Sequence, residues 1–371
     1  MLTFFVIVVL VALGLQWFSL RRASDHQNIR YNCRPSVRAC EPGEEFLVLS
    51  DVANHGLRPS PAIRIEEHFP RELEVREAER FNVKWLTKDH RVYYSTVLLR
   101  GHQQVKRSLR ASIARRGEYC FSYADFFAGD VLGFHEYAYR MENDSRIVIY
   151  PAKLDSAALP ETFSDALDDL ARKKRLLDDP ISVCGYREYT GTEPMRQISW
   201  KQSAAHNELI VKQYDPVWQR AVLIALDTDI HGDFDAYLEQ LELCFSLART
   251  VCEELEQRNI GYQLVTNAPL REELSGFSSS GGMGGSFQKI LYALGSAKGG
   301  SIAPVEELMH AVCSGVRRCE MIVFLSTHCN RRVERALDQA QELKGGRIVP
   351  LFVDRLRLNG SGPSKEEEAR A

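Results

Sequence analysis

The sequence has no excess of either charge. Lys and Arg number 47 against 50 Asp and Glu, a formal net charge of -3, so no global field draws the chain to nucleic acid. It also has no C-x-x-C pair. Nine cysteines are scattered at 33, 40, 120, 184, 244, 252, 313, 319 and 329, an odd set that fits neither the dense framework of a small secreted domain nor a usual zinc pattern. Free thiols in a reducing compartment are the expectation, with a small Cys33–Cys40 loop as the alternative. G-x-x-x-x-G-K-[ST], a strand-linked G-x-G-x-x-G, G-x-S-x-G and H-E-x-x-H are all missing, which removes the common phosphate-loop, dinucleotide, serine-hydrolase and zinc-protease readings. Gly281–Gly285 therefore reads as a flexible Ser/Gly loop.

Charge is also lacking from the first twenty residues, where the first ionisable side chain is Arg21. Twenty helical residues span roughly 30 Å, the thickness of a hydrocarbon core. No basic residue precedes the run, and Gln16–Leu20 makes a poor cleavage site, against a signal peptide. Residues 1–22 are thus predicted to be an uncleaved transmembrane helix. Arg21, Arg22, Arg30, Arg34 and Arg38 on its C-terminal side predict a single-pass plasma-membrane protein with its soluble domains cytoplasmic.

The remaining pattern divides the 371 residues further. Short period-two runs over 28–151, with no long amphipathic helix between them, predict an all-β sandwich. A charged, helix-forming connector follows over 152–219. From 220 to 358, apolar strands such as Ala221–Leu226 alternate with helical stripes such as Tyr237, Leu241, Phe245, Ala248, Cys252 and Leu255. That rhythm predicts an open, mostly parallel Rossmann-like α/β sheet, with any ligand at the carboxyl ends of its strands. The Gly/Ser/Glu-rich tail 359–371 is predicted to be disordered.

The join between the domains carries a specific pattern. Gly185-Tyr186-Arg187-Glu188-Tyr189, Arg196-Gln197-Ile198-Ser199-Trp200-Lys201 and Ser203-Ala204 resemble the signature of the bacterial domain-of-unknown-function 58 (DUF 58) family. Arg115-Arg116-Gly117-Glu118-Tyr119 and Asp130-Val131-Leu132-Gly133-Phe134 are similar to two further motifs of that family. Thr192-Glu193, Ser199 and Ala205 depart from it, marking a divergent member. Physically, Thr192 could cap a short helix with Pro194 in its first turn, Ile198 and Trp200 would supply buried bulk, and Arg187, Glu188 and Arg196 could form an ion-pair network.

The resemblance implies a von Willebrand factor A-like second half and a MoxR-type AAA+ ATPase as partner. The expected function is accordingly that of a membrane-anchored, non-enzymatic scaffold, with Arg187, Glu188, Tyr189, Arg196 and Trp200 as candidate partner-binding residues and no catalytic set. The alternative is a divalent-metal-dependent, adhesion-type module. Its Mg²⁺ would use Asp227, Asp229 and Ser286, but Asp229 and His231 replace the family's serines, and Ser326-Thr327-His328 offers no carboxylate. No cofactor is therefore expected.

Overall fold

The computed structural model describes residues 2–23, 28–57, 59–60, 62–76, 82–86, 90–129, 136–177, 183–190, 195, 198–206, 208–214, 222–229, 234–270, 279–281, 286–315, 319–344 and 347–356. The predicted tail, Thr192, Pro194, Arg196, His231 and the Asp130–Phe134 motif lie outside them. The chain divides into two units, Met1–Ala152 with Leu291–Lys298, and Lys153–Ile290 with Gly299–Ala371.

The first element, α1 (Leu2–Ala23), is a 22-residue helix whose Phe4, Phe5, Ile7 and Leu10 are exposed. Among the described residues, no helix is long and apolar enough to cross a membrane. The expected fold class is corrected on this point: the chain is mixed α/β, with seven helices among the described residues, and the assigned transmembrane helix and its orientation are withdrawn.

Ten strands follow in the first unit: β1 (Ile29–Pro35), β2 (Ala39–Cys40), β3 (Phe46–Asn54), β4 (Ala62–Pro70), β5 (Glu74–Val75), β6 (Asn82–Leu86), β7 (His90–Leu98), β8 (Gln104–Ser112), β9 (Gly117–Gly129) and β10 (Glu136–Ile149). They form a four-stranded sheet, β1-β3-β8-β5, and a six-stranded sheet, β2-β10-β9-β4-β7-β6. Alternation sends every second side chain of β3 inward, Phe46, Val48, Ser50, Val52 and Asn54, as one-sided burial requires. Phe46 and Val48 pack with Phe69, Tyr93, Phe121, Ile147 and Ile149 from the other sheet, and Val52 packs with Ile63, Ile65 and Phe126, so the two sheets meet face to face.

Two polar devices sit in this core. Glu67 on β4 is buried, and its Oε1 lies 3.2 Å from Arg107 Nη2 on β8 while accepting from the Tyr31 hydroxyl of β1 at 2.9 Å. Arg107 Nη1 also donates to Ser95 of β7. Charges on opposite sheets thus meet inside the sandwich and fix which strand faces which. The second device is a bulge in β10 between Glu142 and Ser145. Asn143, in that bulge, donates from Nδ2 to the carbonyls of Cys33 (2.6 Å) and Phe121 (2.7 Å), and accepts the Cys33 N–H at 3.3 Å. Its amide thereby closes part of the free edge of β1.

On the opposite face of the six-stranded sheet, the His68 ring lies 4.4 Å from that of Tyr123, with Nε2 3.1 Å from Asp125 Oδ2. Arg140 bonds both oxygens of Asp125, at 2.8 and 3.1 Å, and stands 4.0 Å over the Tyr123 ring. Burial lowers the His68 pKa and His90 adds to this, outweighing Asp125. Burial raises the Asp125 pKa, but the Arg140 bonds override it and hold the carboxyl below its usual range. Above about pH 6.5, folded and unfolded His68 are both neutral. As pH falls from there, the unfolded chain takes up the proton first, so stability is lost until the lower folded pKa is passed. Urea midpoints between about pH 7 and 5 should therefore fall with pH, and His68→Gln should flatten that slope. An unchanged slope in the variant would exclude His68 as its source.

The second unit begins with α2 (Glu161–Leu177), whose Phe163, Ala166, Leu167 and Leu170 are buried and whose Asp168 lies 3.5 Å from Arg258. A hairpin, β11 (Val183–Glu188) with β12 (Ile210–Tyr214), encloses α3 (Trp200–His206). The main sheet then alternates: β13 (Val222–Leu226), α4 (Phe234–Gln257), β14 (Tyr262–Thr266), β15 (Ser279–Gly281), α5 (Ser286–Ser296), α6 (Val305–Gly315), β16 (Met321–Ser326), α7 (Arg331–Lys344) and β17 (Arg347–Phe352). Strand order is β15-β14-β13-β16-β17, parallel except for β15. β13 is buried at all five positions, the mark of a strand covered on both faces.

The last turns of α5 count with the first unit. There Arg116, from the Arg-Arg-Gly motif, donates to the carbonyls of Leu294 (2.9 Å) and Ala297 (2.6 Å), a cation on the end of a helix where the orphan carbonyls lie. Gly295 makes the close approach possible, since a Cβ there would fall 2.6 Å from Val148 Cγ1 and 2.9 Å from the Ile149 carbonyl.

Candidate functional site

Two places concentrate the residues singled out by sequence. The first is the carboxyl edge of the main sheet. From β13 the chain proceeds to β14 on one side, and later to β16 on the other, so β13 and β16 flank the switch point where such sheets bind ligands. Asp227 follows β13 there and Ser326 ends β16, and both are buried.

Asp227 Oδ2 accepts from Ser326 Oγ at 3.1 Å. Its Oδ1 accepts from Asn267 Nδ2 at 2.8 Å and from the Asp229 N–H at 3.1 Å. Asn267 lies just beyond β14 and is fully buried. Its Oδ1 accepts the Thr228 N–H at 2.8 Å, and its Nδ2 donates also to the Ala303 carbonyl at 3.0 Å. A backbone N–H on one side and a carbonyl on the other fix which end of the amide is nitrogen. The Thr228 hydroxyl lies 3.0 Å from Asn267 Oδ1 and 2.9 Å from the Gly300 carbonyl. Burial pushes the Tyr237 phenol up to about 12, keeping it protonated to donate to the Thr228 carbonyl at 2.5 Å. Nearer the surface, Ser301 Oγ donates to Asp229 at 3.0 Å. Arg332 grips both oxygens of Glu306, at 3.0 and 3.1 Å, and lowers the Glu306 pKa.

The Asp229 N–H donates to Asp227, so the structure brings these two predicted residues together. Ser286 opens α5, but its side chain is not among those described. Asn267, Ser301 and Tyr237 were not in the predicted set. Asn267 carries one signal a sequence could give, a small polar residue directly after a buried parallel strand. Burial pushes the pKa of nearby Cys244 well up, which disfavours its thiolate.

The second place is the β11–α3–β12 module. Ile198 bridges Val211, and both are buried. Ser199 N–H donates to the Ile210 carbonyl at 2.8 Å, and the Ile210 N–H donates to Ser203 Oγ at 2.9 Å. Ser199 and Ser203, four residues apart, turn the same side of this short helix inward. Trp200 is one residue further round and points out, 62 % exposed. The expectation of a buried Trp200 is corrected: Ile198 takes the pocket. Met195 (69 % exposed) and Tyr186 (50 %) belong to the same module. Arg187 and Glu188 are exposed and Tyr189 is half-buried. Arg187 Nη1 lies 3.5 Å from the Glu188 carbonyl. Arg196, the third residue of the expected ion-pair network, lies outside the described residues.

No family model matches the chain, and no curated protein matches it. Among solved structures, a non-cellulosomal cohesin from Archaeoglobus fulgidus is 11% identical over 32% of this chain and 91% of its own, with a TM-score of 0.22. A CARDB domain from Pyrococcus furiosus, in complex with di-metal ions, is 7% identical over 31% and 86%, with a TM-score of 0.19. The α2-macroglobulin of E. coli is 12% identical over 33% and 9%, with a TM-score of 0.23. Likenesses of this size carry no argument about the present chain.

Proposed function

We propose that the chain is a non-enzymatic interaction protein, a divergent relative of the DUF 58 family, and that the β11–α3–β12 module is where it meets its partner. The observation that carries this reading is the outward Trp200. A large aromatic in a module whose apolar interior is already supplied by Ile198 and Val211 contributes little to folding where it stands. Exposed Trp, Tyr and Met are residue types enriched in protein interfaces. Arg187 and Glu188, exposed next to Tyr186 on β11, add charged groups to the same module. The partner proposed, on the family resemblance, is a MoxR-type AAA+ ATPase. Eight free cysteines among the described residues support a reducing, cytoplasmic setting.

Trp200→Ala should leave the unfolding midpoint within about 0.5 kcal/mol of wild type. It should weaken binding to the purified ATPase by about 2 kcal/mol, near thirtyfold, as an interface anchor does. Calorimetric titration and urea unfolding of the same preparations check both. A variant that binds normally, or that unfolds like a core mutant, removes the module as the docking site.

A further inference from the structure

We infer that the Asn267 side-chain amide stands at Asp227 in place of a divalent cation, so that the carboxyl edge of the main sheet is locked by hydrogen bonds rather than by an ion. The A-like domain resemblance implies Mg²⁺ at Asp227, and the described residues around it do not fit that ion. Mg²⁺ requires near-octahedral oxygen ligands, whereas Asn267 Nδ2, the Asp229 N–H and Ser326 Oγ all donate protons to Asp227. Asn267 Nδ2 lies 2.8 Å and the Asp229 N–H 3.1 Å from Oδ1, while Ser326 Oγ lies 3.1 Å from Oδ2.

The same amide explains why the lock is stable. Asn267 Nδ2 has two protons, and these go to Asp227 and to the Ala303 carbonyl; its Oδ1 takes the Thr228 N–H. The Ile302 N–H adds a bond to the Asn267 backbone carbonyl at 2.8 Å. One buried side chain therefore ties the loop after β13 to the loop after β14 and to the segment that leads into α6. Ser326 ties the end of β16 to the same carboxylate. In a cation site, an ion would make these ties and could leave. An amide cannot leave, so the edge keeps its arrangement whatever the divalent-ion concentration.

Asn267→Asp tests the assignment because it swaps two donor protons for a charge at nearly constant volume. The full chain should melt at the same temperature in MgCl₂, MnCl₂ and EDTA. Asn267→Asp should melt lower in EDTA, with its new carboxylate against Asp227 and the Ala303 carbonyl, and should recover in Mn²⁺ or Mg²⁺. A variant equally unstable in Mn²⁺ and EDTA overturns the inference. A second measurement does not depend on that variant folding: titration of wild type and Asp227→Asn with Mn²⁺, followed by water-proton relaxation. Equal relaxation in both supports the lock. Tight Mn²⁺ binding by wild type that Asp227→Asn abolishes overturns it.

Discussion

Replacing Glu67 by Leu is expected to cost about 3–5 kcal/mol of unfolding free energy, among the largest single effects in the chain, because it leaves a buried cation without its counter-charge. Arg107 keeps only 16% side-chain exposure, so water cannot take over the lost partner. The Tyr31 hydroxyl loses its acceptor as well, and a buried polar group left unpaired costs about 1–3 kcal/mol. Replacing both charges, Glu67→Leu with Arg107→Met, should restore much of the loss, since apolar residues of similar volume often match or exceed a buried ion pair. Urea unfolding of the four proteins in a double-mutant cycle gives the coupling directly. A single variant costing under about 1 kcal/mol would show that the pair is already hydrated.

Asn143→Asp should be nearly as damaging, at about 2–6 kcal/mol, from two carbonyls that each lose a donor worth about 1–3 kcal/mol and face a charge instead. The carbonyls are those of Cys33 and Phe121, at 2.6 and 2.7 Å. Asn143→Ala removes the same bonds without adding the charge, so it should cost less. Lowering the pH should partly rescue Asn143→Asp, because the protonated acid can donate once and its pKa is raised among acceptors. Chemical unfolding across the acid range checks the order of the two variants. An alanine variant worse than the aspartate one would mean that packing, not donation, is what Asn143 provides.

These two residues mark a limit of what the sequence made legible. Continuous apolar runs were easy to read: Ala221–Leu226 contains β13, and Met321–Leu325 lies within β16. Hydrophobic burial is one-dimensional enough to appear as a pattern. Glu67, Arg107, His68, Asp125 and Asn143 are polar residues inside strands, and their partners lie on other strands. Nothing local announces them. Strand β10 shows the same difficulty, since only its end, Ile147–Ile149, is a continuous apolar run and the stretch before it is charged. Trp200 was misplaced for a different reason: residue type favoured burial, while the helical phase set by Ser199 and Ser203 turned it outward. At the candidate site, Asp227 was visible as a residue after a buried strand, but its amide partner forty positions away was not. The apolar N-terminal run shows the converse: its pattern predicts a membrane span, whereas among the described residues no helix is long and apolar enough to cross one.

The first unit is discontinuous in sequence, and this gives its folding a timetable. Its closing piece, Leu291–Lys298, follows Lys153–Ile290 of the second unit in the chain. At about 5–20 residues per second, a ribosome spends on the order of ten seconds on that intervening stretch. Throughout that interval Arg116 has no helix end to hold, and Val148 and Ile149 lack the glycine-faced turn that packs on them. The sandwich therefore gains these contacts only after most of its neighbour has been synthesised. A stalled or truncated chain ending before Leu291 should accordingly be cleaved by proteases near β10 and bound by chaperones.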